Sequence, residues 1–151
     1  TNLYYFARLT DDLGDEARAA RGEDANLAEL RLGLLDELAA DVARIYDGKT
    51  PESPVMRAMA QTIRECHVPA QPLRDLIQAN RQDQLVTRHR TYQELARYCE
   101  LSANPVGHIV LCIFGVATPG RIALSDSICT ALQLAEHWQD VAEDRPANQL
   151  A

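Results

Sequence analysis

A chain of 151 residues, 46% hydrophobic and 25% charged, can bury one apolar core of its own. Its net charge of −7 lacks the basic footprint that nucleic acid requires, and it disfavours anionic lipid surfaces without excluding a lipid substrate. No apolar run is long enough to span a bilayer, and four cysteines without C-x-x-C spacing read as reduced, buried thiols.

Taken in chain order, every predicted element is a helix, because apolar residues recur at helical spacing and β-branched clusters are scarce. The first helix covers 2–20 and has no capping residue before it. Asn26 with Glu29 forms a capping box for a second helix that ends near Gly48. Ser53-Pro54 and Gln71-Pro72 start a third and a fourth helix, since proline suits a first turn. The polar stretch from Asn80-Arg81-Gln82-Asp83 to Tyr92 reads either as a solvated helix end or as a cover for a ligand. Thr91 with Glu94 is another capping box, opening a long apolar helix to about Gly115 that Pro105 should kink. Thr118-Pro119 starts the last helix, which runs to Arg145-Pro146. The expectation is an all-α fold, one domain over 1–151. No leader is visible at Thr1-Asn2-Leu3-Tyr4, so a cytoplasmic location, or one at the periphery of the inner membrane, is expected.

Two acidic pairs stand near opposite ends, in Asp11-Asp12-Leu13-Gly14-Asp15 and Asp140-Val141-Ala142-Glu143-Asp144. Residues i and i+4 share a helix face, so each pair presents two carboxylates in one direction. Such a pair suits Mg²⁺ and a diphosphate; it also suits a plain solvated surface. On the first helix Tyr4, Arg8, Asp11 and Asp15 form one stripe. The arginine fork matches phosphate oxygens, and a local ion pair with Asp11 or Asp12 is the competing use. On the last helix Gln133, His137, Asp140 and Asp144 share a stripe, with Glu136 and Glu143 beside it. Between them, Ala103 and Gly107 flank Pro105 and let another surface approach closely. The histidines give no H-E-x-x-H or E-x-x-H spacing, so zinc hydrolase and di-iron readings have no support. Pyrophosphohydrolase E-x-x-E spacing is missing too.

Together these stretches resemble the squalene/phytoene synthase family. The first motif is Arg8-Leu9-Thr10-Asp11-Asp12-Leu13-Gly14-Asp15-Glu16. The second runs from Ala131-Leu132-Gln133-Leu134 to Gln139-Asp140-Val141-Ala142-Glu143-Asp144. Arg81-Gln82-Asp83 and Tyr98-Cys99 through Val106-Gly107 fit in order between them, so the resemblance covers roughly residues 3–145. Ser102-Ala103-Asn104-Pro105-Val106-Gly107 and Ile128-Cys129-Thr130-Ala131-Leu132-Gln133-Leu134 look most like the bacterial hydroxysqualene synthase branch. The chain departs from the family pattern at Glu136, where asparagine is usual, and in having no Gly-Arg-x-Tyr-type segment after the second motif.

The resemblance implies an isoprenoid (terpenoid) synthase-type helical bundle, of which this chain is the central part, incomplete at both ends. It implies Mg²⁺ held by Asp11, Asp15, Asp140 and Asp144, with Arg8 and Gln133 on the substrate diphosphate. Tyr4, Ala103, Val106, Gly107 and Glu100 would form the pocket, where Glu100 or a neighbour orients a water. The implied substrate is presqualene or farnesyl diphosphate. The implied reaction turns presqualene diphosphate and water into hydroxysqualene and diphosphate. Head-to-head synthesis of presqualene diphosphate, squalene or phytoene is the nearest alternative, and an inactive truncated helical relative is the alternative outside enzymes.

Overall fold

The computed structural model describes the backbone of residues 1–19, 25–85 and 91–143, and their side chains except at 11, 13–19, 25–28, 83–85 and 140–143. The described residues form seven helices: α1 (Asn2–Ala19), α2 (Ala25–Tyr46), α3 (Pro54–Cys66), α4 (Ala70–Leu85), α5 (Tyr92–Ser102), α6 (Asn104–Ile113) and α7 (Pro119–Glu143). Among the described residues there is no strand, and no helix is long and apolar enough to cross a membrane.

The helix ends follow local chemistry. Thr91 Oγ1 accepts from the Glu94 N–H at 3.1 Å, so the expected cap of α5 forms. Pro54 and Pro119 open α3 and α7 as expected, the latter with the Arg121 N–H 3.4 Å from Thr118 Oγ1. Two glycines with positive φ, Gly48 (74°) and Gly115 (68°), end α2 and α6. Beyond them Lys49 N–H reaches the Arg44 carbonyl at 2.8 Å, and Val116 N–H reaches that of Leu111 at 2.9 Å. Each turn thus satisfies carbonyls that a helix end leaves open, in a backbone shape glycine adopts without strain.

Three expectations need correcting. α2 already includes Ala25, so Asn26 lies inside the helix and is not its N-cap. α4 starts at Ala70, which puts Pro72 within the first turn rather than at its opening. The kink expected at Pro105 is a full break. α5 stops at Ser102, Ala103 takes φ −105° and ψ −46°, and α6 begins at Asn104 with Pro105 in its first turn. Proline lacks the N–H that would have continued the ladder and tolerates only a helix start. The expected ends of the first and last helices, at 20 and at Arg145-Pro146, lie outside the described residues.

α4 is the central helix, packed against α1, α2, α5 and α6. Its Leu73, Leu76 and Ile77 meet Phe6, Leu35, Leu38, Val42, Met56, Met59, Ile63 and Ile109 in the main core. Ala79 instead joins a second cluster with Leu95, Tyr98 and Cys99 of α5 and Leu134 of α7. In the described part of the 80–92 stretch the start is packed and the end, Thr91 and Tyr92, is exposed. Asn80 is buried, and Arg81 pairs with Asp36 of α2. All four cysteines are free, and burial raises the Cys99 and Cys112 thiols above their ordinary pKa.

Candidate active site

α1 turns Phe6 and Thr10 fully inward. At about 100° per residue, Tyr4 and Arg8 then fall on the side away from these two. Tyr4 and Arg8 are exposed there. Tyr4 meets Tyr5 edge to face at 5.8 Å, and Arg8 Nε lies 3.0 Å from Asp12 Oδ1. Arg8 therefore makes the local ion pair that the sequence allowed. With both partners about half exposed, such a pair is worth about 0.5 kcal/mol, so a diphosphate could replace Asp12 at small cost. The backbones at Asp11 and Asp15 belong to α1, and their side chains lie outside the described residues.

On α7, Leu134 is buried against α5, and Gln133 and His137 are half-buried beside it. The side chain of Asp140, and Asp144 altogether, lie outside the described residues. α1 and α7 are joined through intermediaries, since α4 packs on α1 and on α5, while α5 and α6 pack on α7.

The α5–α6 break is pinned to α7 at two points. Thr130 Oγ1 donates to Asn104 Oδ1 at 2.9 Å. A Cβ added at Gly107 would collide with Ser125 Oγ and stand 2.7 Å from Cys129 Sγ, so these two α7 side chains fill the space beside the glycine. The close approach expected of Gly107 is thus present, made with α7. Val106 packs against the main core, and Ala103 is half-buried at the break. Glu100 is exposed and lines a polar groove of about 310 Å³ with Gln71, Asp75, Asn104, His108 and Asp126.

Two features had no clear sequence signal. Asp41, 2% exposed, accepts from the Glu52 and Ser53 N–H groups and from Arg44, each at 2.8 Å, and so closes the start of α3 from a neighbouring helix. A charged residue in the apolar run of α2 was its only trace. Ser102 Oγ is buried and meets no hydrogen-bond partner among the described residues. Among the described residues no three His, Cys, Asp or Glu side chains could together hold a metal ion.

The family model described as squalene/phytoene synthase matches residues 1–151. Hydroxysqualene synthases from Zymomonas mobilis and Sinorhizobium fredii are 31% and 33% identical over 94% of this chain. Phytoene synthase 1 of Zea mays is 29% identical over the same share. A crystal structure of the squalene synthase HpnC from Alicyclobacillus acidocaldarius superimposes with a TM-score of 0.79 at 39% identity, over 95% of this chain. The chain spans half or less of the length of these relatives, 44% of each hydroxysqualene synthase, 34% of the Zea mays phytoene synthase and 50% of the solved squalene synthase.

Proposed function

Because the chain belongs to the squalene/phytoene synthase family, we propose that it forms the diphosphate-gripping part of an enzyme that converts presqualene diphosphate and water into hydroxysqualene and diphosphate. The observation that carries this reading is the match to hydroxysqualene synthases across 94% of the chain, a span that includes the α1 acidic pair and the break region.

The four carboxylates of Asp11, Asp15, Asp140 and Asp144 are a donor set of oxygen alone, which fits a hard divalent cation such as Mg²⁺. When bound, Mg²⁺ would supply Lewis-acid neutralisation of charge on the diphosphate oxygens. Arg8, released from its exposed pair with Asp12, would steady the same diphosphate, and Gln133, half-buried on the inward face of α7, would hydrogen-bond it. Tyr4, Ala103, Val106 and Gly107 would wall the hydrocarbon. Their apolar and small surfaces exclude bulk water, so that a carbocation survives until one molecule captures it. The greasy substrate makes contact with a membrane surface a natural part of delivery.

Incubation with presqualene diphosphate and Mg²⁺ tests the reading. Hydroxysqualene carries an oxygen that squalene lacks, so product mass separates water capture from hydrocarbon formation. Asp140→Asn should lower turnover by roughly 10²-fold or more, the scale of losing one transition-state charge stabiliser. Turnover at the wild-type rate would remove Asp140 from the site. Phytoene synthases at 28–29% identity favour head-to-head prenyl joining as the second reading, and turnover of farnesyl diphosphate in place of presqualene diphosphate would establish it.

A further inference from the structure

The hydroxyl of Ser102 is the one described buried side-chain group without a hydrogen-bond partner among the described residues. A serine near a helix end ordinarily satisfies itself on a carbonyl one turn back, and a hydroxyl left unpaired away from water is destabilising. Such groups in folded proteins are usually completed by an ordered water or a ligand oxygen.

Its surroundings narrow the choice. Ser102 follows Leu95, Tyr98 and Cys99 by seven, four and three residues, so it occupies the face of α5 that builds the second apolar cluster with Ala79 and Leu134. Leu134 adjoins Gln133 on α7, and Ser102 directly precedes Ala103 at the break. Glu100 lies on the other side of α5, in the polar groove. Set among the apolar side chains of this cluster and the Tyr98 phenol, one hydroxyl can hold a single oxygen and little more.

We propose that Ser102 Oγ holds the water that captures the carbocation, an assignment that rests on the reaction proposed above. The carbon–oxygen bond to diphosphate breaks with its electron pair leaving on the diphosphate. The water oxygen then bonds to the cationic carbon, and its surplus proton passes to the released diphosphate. Ser102 neither gains nor loses a proton; it positions the nucleophile.

Three measurements on Ser102→Ala and Ser102→Thr test this. In an experimental high-resolution structure of the wild-type chain, a water lies within hydrogen-bonding distance of Ser102 Oγ, and it is gone in Ser102→Ala. The thermal midpoint of Ser102→Ala stays within a few degrees of the wild type's, because the variant gives up one water-held hydroxyl and nothing else. With presqualene diphosphate and Mg²⁺, Ser102→Ala releases diphosphate at a rate within a few-fold of wild type. Its oxygenated product share falls at least tenfold, and Ser102→Thr restores it. A dry Ser102 Oγ overturns the proposal whatever the activity, and so does an unchanged product share at normal diphosphate release. Diphosphate release by neither wild type nor variants counts against the proposed reaction instead, and the water at Ser102 is then judged by the structure alone.

Discussion

Asp41 shows what one buried carboxylate does for the helices around it. Burial alone would push its pKa up, but the Glu52 and Ser53 N–H groups and the Arg44 guanidinium outweigh that and hold it below its ordinary value of 3.8. A group with a lowered folded pKa contributes stability that is fully present above its unfolded pKa. That contribution fades as pH falls through the folded one. Asp41→Asn should therefore cost about 2–3 kcal/mol near neutral pH, since an amide nitrogen then faces backbone donors. Denaturant titrations at falling pH should show the gap between wild type and variant closing only below the usual carboxylate range. A gap that is constant down to strongly acidic pH would mean the charge contributes nothing.

Among the elements, two glycines inside helices behave differently. Gly33, in the middle of α2, has nothing within 4 Å of an added Cβ, so Gly33→Ala should raise stability by about 0.5–1 kcal/mol through backbone entropy and helix propensity. Gly107 has the reverse environment. Its added methyl meets Ser125 Oγ and Cys129 Sγ, both ends of side chains that can rotate, so Gly107→Ala should cost about 1 kcal/mol while Gly107→Leu costs about 3 or more. Equal midpoints for the two Gly107 variants in thermal melts would refute the close α6–α7 contact. These contrasts show which parts of the fold were readable beforehand. Helix starts written into a few adjacent residues, Thr91 with Glu94 or Ser53-Pro54, could be read directly, as could the glycine stops at Gly48 and Gly115. Whether Pro105 bends or severs a helix depends on what α6 gains by packing on α7, and no local spacing encodes that. Asp41 was hidden for the same reason, since its partners lie 11 and 12 residues further on.

For the molecule as a whole, the proposed site would draw on two helices, α1 with Asp11 and Asp15 and α7 with Asp140. The sequence gives each pair its own helix face through the i, i+4 period. Convergence on one ligand is what the proposal requires of the packing, and no spacing encodes it. Ligand linkage can test it with inorganic diphosphate and Mg²⁺ on this chain. A ligand that binds only the folded state at about 100 times its Kd adds about 2.7 kcal/mol, enough to move the thermal midpoint by several degrees. If both pairs grip one diphosphate, Asp11→Asn and Asp140→Asn should each abolish most of that rise, and the double variant should lose little more, because coupled contacts are not additive. Arg8→Ala should shrink the rise while leaving the ligand-free midpoint within about 0.5 kcal/mol of wild type, as expected for an exposed ion pair. Two independent half-losses that sum in the double variant would place the acidic pairs at separate ligands and remove the shared site.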